Sequence, residues 1–189
     1  MGVLLQALLL DVPEALDTPR LALRATRAGA GAAINVAFVE SREELRPWMP
    51  WARNPMTAEQ SEEHCRTMQA RWHAREELDF CFYEKAGGGL VGKGGLHTID
   101  WSIPKFEIGY WIRSPRTGRG FATEAALGLV EFARAHLGAR RLEITCDARN
   151  AASRRVAEKC GFELEGIRRR SRRDAQDELA DSCMYARLF

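Results

Sequence analysis

The chain has 189 residues, enough to bury one hydrophobic core, and its 46% apolar and 29% charged content is an ordinary balance for a soluble domain. A net charge of +2 creates no global field that would select nucleic acid as a partner. Five cysteines, an odd number with no C-x-x-C, and four scattered histidines argue against a disulfide frame or a zinc site and for a reducing, cytoplasmic setting.

The opening stretch, MGVLLQALLLDVPE, is apolar but lacks a basic leading region and meets an acid and a proline at once. It reads as a strand or docked arm rather than a signal peptide, and no apolar run approaches a membrane span. Arg20 to Arg24 alternates around Leu21 and Leu23, as a short strand does. Gly29 to Glu40 is small and apolar with helical character, and Ser41-x-x-Glu44 reads as a capping box that opens a further helical turn. Pro47, Pro50 and Pro55 then break the chain into a loop carrying Trp48, Met49 and Trp51. A second capping box, Thr57-x-x-Gln60, starts a charged helix to about Glu77, with Cys65, Met68 and Trp72 on one stripe. Asp79 to Lys85 is a strand, and Gly87-Gly88-Gly89 a hairpin turn. Leu90 to Trp101 is the returning strand, loosened by Gly92, Gly94 and Gly95, and Pro104 resets the chain.

The next stretch organises the rest. An alternating strand, Phe106 to Ile112, runs into the loop RSPRTGRG (Arg113 to Gly120) and a patterned helix, Phe121 to Gly138. A strand, Arg140 to Asp147, and a second helix, Asn150 to Phe162, follow. On the first helix Ala122, Ala126, Leu129, Val130, Ala133 and Leu137 share a face, so it packs on a sheet. Free N–H groups at its start, approached closely through Gly118 and Gly120, suit phosphate oxygens, and Arg113, Arg116 and Arg119 add positive charge. The loop lacks the Gly-Lys-Ser/Thr ending of a Walker loop and the third glycine of a dinucleotide fingerprint. An ordinary strand-to-helix turn is the alternative. Glu163 to Ser171 and Ala180 to Leu188 read as antiparallel strands joined by the polar stretch Arg172 to Glu178. With no repeat and no linker, residues 1–189 form one domain.

GRGFATEA followed by DARNAASRRVAEKCGFELEG resembles the acetyl-CoA-binding core of the GNAT superfamily of N-acetyltransferases. The superfamily loop, Gln/Arg-x-x-Gly-x-Gly/Ala, aligns with Thr117 to Ala122, and Thr117 departs from its first position. LDTPRLALR (Leu16 to Arg24) and ELRPWMPWA (Glu44 to Ala52) are similar to the branch that acetylates the N-terminal amines of ribosomal proteins. The resemblance implies a mixed α/β fold with a central, largely antiparallel, splayed sheet flanked by helices. It implies acetyl-CoA as co-substrate, with no metal. Trp111, Ile112, Arg113, Thr117, Gly118, Arg119, Gly120, Phe121, Ala122, Thr123, Asn150 and Ser153 are then the cofactor-binding candidates, with Asn150 on the pantetheine arm. The acceptor is a protein or peptide N-terminus or a small-molecule amine. Neither membrane nor stable nucleic-acid binding is expected, and the chain is a monomer or homodimer.

Acetyl transfer to an amine requires a fixed thioester, a neutral amine, a donor to the developing oxyanion and a proton for the thiolate. A backbone N–H within Tyr110 to Ile112 suits the oxyanion. Glu107 is the candidate base: it alternates onto the face of Lys105, Gly109 and Trp111, and the superfamily places a base glutamate on this strand. A solvated residue paired with Lys105 is the alternative. Where many members carry a tyrosine acid, this chain has Ala157. Ser153, which the ribosomal-protein branch has near the CoA sulfur, and Tyr185 are the candidate donors; a local cap and a half-buried strand aromatic are their plainer roles. Members of that branch can carry a glutamate base where this chain has Arg172, which would favour a carboxylate-bearing acceptor. Trp48, Trp51 and Trp101 are candidates to line the acceptor pocket, or else core residues. Cys146 and Cys160 read as core cysteines, and the basic run Ile167 to Asp174 as a solvated hairpin. A small-molecule amine acetyltransferase and a non-catalytic acetyl-CoA-binding module stay open beside the N-terminal acetyltransferase.

Overall fold

The computed structural model describes residues 7–189. The expected N-terminal strand or arm, residues 1–14, lies in part outside these residues; its described part, 7–14, contains no strand, and β1 (Ala15–Asp17) follows it. The chain continues with β2 (Leu21–Ala25), α1 (Gly31–Leu45), α2 (Ala58–Ala74), β3 (Leu78–Glu84), β4 (Leu90–Asp100) and β5 (Lys105–Ile112). It ends with α3 (Phe121–Leu137), β6 (Arg141–Asp147), α4 (Ala151–Lys159), β7 (Glu163–Arg173) and β8 (Leu179–Leu188). Short 3-10 turns at Pro50–Arg53 and Ser114–Arg116 interrupt the two loops that matter for the site.

One eight-stranded sheet runs β1-β2-β3-β4-β5-β6-β8-β7. Every neighbouring pair is antiparallel except β5 and β6. That parallel pair is short: Lys105, Phe106 and Glu107 meet Arg141, Leu142 and Glu143, and pairing ends there. From residue 108 onward β5 has lost its β6 neighbour, so the sheet splays and the backbone of Gly109 to Ile112 has an open edge. The mixed, splayed sheet agrees with the architecture the resemblance implied.

Alternation along the strands divides the core. One face buries Phe80, Phe82, Phe106, Ile108 and Leu142 against Phe121, Leu129, Val130 and Phe132 of α3. The other packs Cys81 and Trp111 against Ile34, Ala37, Phe38 and Cys65 of α1 and α2. Burying a large side chain of this kind contributes about 1.5–3 kcal/mol, so both layers are needed to hold the sheet. Cys160 is in the first core and Cys146 is half-buried beside it.

Two local readings of the sequence are corrected. Ser41 does not cap a helix: α1 runs unbroken through it, and its Oγ accepts from the Ser114 N–H at 2.9 Å. A tertiary partner took the hydroxyl that a capping box would have used. The second helix stops at Ala74, because Arg75 adopts φ +59 and closes it left-handed. The Thr57–Gln60 capping box forms as expected, with both reciprocal bonds.

Candidate active site

Helix α3 starts without a side-chain cap. Gly120 is its N-cap at φ +80, in the left-handed region that glycine enters without a Cβ penalty. The N–H groups of the first turn therefore carry the positive end of a 17-residue helix with no resident acceptor. The mouth of this turn is held by the N-terminal strands. Glu124 accepts from Thr18 Oγ1 at 2.6 Å, from the Arg20 N–H at 2.7 Å and from Arg20 Nε at 2.6 Å. Burial would raise the Glu124 carboxyl, but these bonds and the Arg20 charge hold it below its ordinary range. The Thr-Pro-Arg stretch thus aims the α3 N-terminus.

That N-terminus opens on a cavity of about 580 Å³. Among the sequence candidates, Trp48, Trp111, Ile112, Thr117, Gly118, Gly120, Phe121, Ala122, Thr123, Asn150 and Ser153 line it. Asn150 caps α4, its Oδ1 accepting from the Ser153 N–H at 3.0 Å. The loop arginines are not free. Arg113 pairs with Glu40, and Arg116 and Arg119 grip opposite oxygens of Glu84 at 2.8 and 2.7 Å. Arg155 and Lys159, one turn apart on α4, line the cavity as cations that the sequence reading did not single out. Their i, i+4 spacing after Asn150 was the available signal.

A second cavity, about 390 Å³, lies on the α1–α2 face. Met49, Tyr110 and Trp111 line both, so the two meet at the splayed end of β5. Its wall is aromatic: Trp51 lies between Phe38 at 5.6 Å and Trp111 at 6.2 Å. Its floor is polar, with His64, Glu77, Asp79, Lys93 and His97. Lys93 and Asp79 are both buried and form an ion pair; Thr26 also donates to Asp79. Lys93 Nζ lies 3.2 Å from His64 Nε2. Burial first, and then the Lys93 charge, push the His64 imidazole below its ordinary value.

Tyr110 sits at the junction. Alternation assigned it to the core face, and its ring does lie there, but β6 has already parted from β5. Its hydroxyl is therefore 3.0 Å from Ser153 Oγ. Burial drives the phenol well above its usual titration range, so it stays a protonated donor.

Other sequence candidates lie elsewhere. Glu107 is half-buried on β5, paired in register with His97 on one side and Glu143 on the other, and lines neither cavity. Tyr185 is 1% exposed, its hydroxyl accepting from Arg154 at 3.2 Å and donating to Glu158 at 3.1 Å. Trp101 stacks edge-on against Phe106 at 5.1 Å and donates its indole N–H to the Arg75 carbonyl. Arg172 bonds Asp147 at 2.9 Å and the Trp48 carbonyl at 3.1 Å, so its guanidinium ties the β7–β8 hairpin to the Trp48 loop. Burial would raise the Asp147 carboxyl, but hydrogen bonds from Arg149 and the Arg172 charge hold it low. Among the described residues no cluster of three or more potential ligands is placed for a metal ion, and no helix is long and apolar enough to cross a membrane.

The family model for the acetyltransferase (GNAT) domain matches residues 20–163. The Bacillus subtilis (strain 168) protein YdaF is 33% identical over 132 residues, 68% of this chain and 70% of its own. The ribosomal-protein-serine acetyltransferase of Escherichia coli (strain K12) is 30% identical over 102 residues, 53% of this chain and 55% of its own. Among solved structures, the ribosomal L7/L12 α-N-protein acetyltransferase RimL in complex with coenzyme A superposes at TM-score 0.88 with 21% identity, covering 93% of this chain and 98% of that one. The microcin C7 self-immunity acetyltransferase MccE, in complex with acetyl-CoA and AMP, superposes at 0.85 with 19% identity, covering 91% and 94%.

Proposed function

The chain belongs to the acetyltransferase (GNAT) family and is an N-acetyltransferase by that membership, and we propose that it acetylates the N-terminal α-amine of a protein or peptide from acetyl-CoA. The observation that carries the reading is the junction: an uncapped helix N-terminus on one cavity, meeting an aromatic-walled cavity at the open edge of β5. When bound, acetyl-CoA supplies a thioester carbon open to attack. The first-turn N–H groups of α3 suit its pyrophosphate, and Arg155 and Lys159 add charge to the same cavity. The backbone N–H groups of Tyr110 and Ile112, which face away from β4 on the edge that the splay opens, are the candidates to meet developing oxyanion charge.

Ser153 and Tyr110 suit the role of returning a proton to sulfur, since both line the larger cavity and lie 3.0 Å apart. Ser153→Ala and Tyr110→Phe are each expected to lower kcat by about 10²-fold, with KM for acetyl-CoA little changed. Steady-state kinetics of both variants checks this, and a pair of wild-type kcat values would remove the two hydroxyls from the mechanism.

Three observations favour an N-terminal amine. Relatives by sequence and by structure are named for ribosomal-protein N-terminal acetylation. Trp51 and Trp111 form a wall that discriminates by shape a branched peptide terminus from a thin alkyl stem. The cavity's acids are already partnered, Asp79 by Lys93 and Glu77 by Arg71 at 2.8 Å, so no free carboxylate calls for the second ammonium of a polyamine. A competition of N-terminal tetrapeptides, free amino acids and polyamines at equal concentration, read by mass spectrometry, tests the acceptor. Tetrapeptide labelling is expected to dominate. Preferential labelling of a polyamine or a free amino acid would replace the peptide with a small-molecule acceptor and leave fold and co-substrate untouched.

A further inference from the structure

His97 occupies the part of the acceptor cavity nearest the reacting strand. It follows Lys93 and Gly95 in the alternation of β4, and these three residues face Trp111, Gly109 and Glu107 of β5 in register. Gly109 leaves the space the imidazole uses. A Cβ built there would stand 2.7 Å from His97 Nε2, so that nitrogen lies directly over the Gly109 backbone, one residue from Tyr110. The two cavities join at Tyr110 and Trp111.

The other ring nitrogen is fixed. His97 Nδ1 is 2.9 Å from Thr98 Oγ1. Thr98 makes that bond from φ +49, a left-handed conformation rare for a β-branched residue, at the irregularity in β4–β5 pairing between His97 and Asp100. Backbone held in this way is costly and persists where the surroundings demand it. A base role for this ring requires the tautomer in which Nδ1–H donates to the Thr98 hydroxyl; Nε2 then keeps its lone pair, and no protein partner takes it among the described residues. His64, the other imidazole of the cavity, is differently placed. Its Nε2 faces the Lys93 ammonium at 3.2 Å, which occupies the lone pair a base would use.

We propose that His97 Nε2 accepts the proton of the acceptor amine, and that Glu107 acts through it as a positioning residue. This inference rests on the N-acetyltransferase reading above and adds the base to it. The amine lone pair forms the new C–N bond, and the C–S bond breaks with its electron pair on sulfur. One proton leaves nitrogen for His97 Nε2 and one reaches sulfur from the Ser153–Tyr110 pair; the imidazolium then releases its proton to water and the hydroxyl pair takes one back, so amine and thioester become amide and thiol with no net proton gained or lost. Glu107 stands directly opposite His97 in the β4–β5 register, where the Cβ atoms of an antiparallel pair are about 5 Å apart. The other charged groups facing this end of the cavity are Glu77, just before β3, Asp79 of β3, Lys93 of β4 and His64 of α2. Asp79 is paired with Lys93 and Glu77 with Arg71, and among the described residues Glu107 has no ion-pair partner.

The test is kinetic. His97→Gln is expected to bind acetyl-CoA as wild type does by calorimetry and to lose about 10²-fold in kcat/KM for the peptide acceptor. The acid limb of its pH–rate profile should shift to follow the ionisation of the amine alone. His97→Ala should recover activity with added imidazole, and Glu107→Gln should have little effect in the His97→Gln background. Thr98→Gly separates catalysis from folding: it relieves the backbone, so stability should hold or rise while kcat/KM falls. His97→Gln within threefold of wild type, with an unchanged profile, overturns the proposal. So does a profile that Glu107→Gln alone abolishes. A wild-type protein that binds acetyl-CoA but acetylates no amine overturns the function reading itself, and the base assignment falls with it.

Discussion

Lys93→Met is expected to destabilise the protein by about 3 kcal/mol, the cost of leaving one partner of a buried ion pair alone. Lys93 is 5% and Asp79 8% exposed, and they sit together on the floor of the acceptor cavity. Neither ion is cheap to bury, and their attraction with the Thr26 and His64 contacts offsets the desolvation. Removing Lys93 strands the Asp79 carboxylate between Leu78, Phe80 and the sheet. Replacing both partners, with Asp79→Leu added, should return much of the lost stability, because an apolar pair of similar volume avoids the desolvation altogether. Urea unfolding of the single and double variants measures this. A single variant within about 0.5 kcal/mol of wild type would mean that the pair is solvated through the cavity and contributes little.

Gly120→Val is expected to weaken acetyl-CoA binding by tenfold or more. Two effects combine. A β-branched residue at φ +80 costs about 1–2 kcal/mol of backbone energy, and a side chain at the helix mouth stands where phosphate oxygens must reach the first-turn N–H groups. The protein itself offers room, since the nearest atom to a Cβ at 120 is Arg20 Nη2 at 3.5 Å, so the fold should survive. Gly138 provides the control at the other end of α3. It has φ +62 and open space around it, and it is far from either cavity. Gly138→Ala should pay a similar backbone cost and leave affinity unchanged. Calorimetric titration with CoA on both variants decides it. Equal affinities for Gly120→Val and wild type would remove the phosphate site from the α3 N-terminus.

Much of this was legible in the chain because it rests on local chemistry. The helix start at Gly120, the capping box at Thr57 and the stripe on α3 are each set by residues a few positions apart. The alternation of β5 likewise assigned Tyr110 and Trp111 to opposite faces. The larger cavity is built almost wholly from such elements, and most of its lining was accordingly named from the sequence.

The smaller cavity was not legible, because its floor comes from elements far apart in sequence. Asp79 on β3, Lys93 and His97 on β4 and His64 on α2 meet only after the sheet has set its register. Nothing local to His97 announces that Gly109, twelve positions on, vacates the space its ring fills. The same physics moved other assignments. Arg172 and the loop arginines read as free positive charge, yet each finds a carboxylate brought from elsewhere in the chain. Trp101 and Tyr185 read as site aromatics, and packing gave both polar partners within the fold. The chain by itself determined the helix that would hold an anion and the strand that would lie beside it. Only the tertiary structure decided which side chains face the reacting strand, because long-range register, and not residue type, determines which unpaired groups are left to do chemistry.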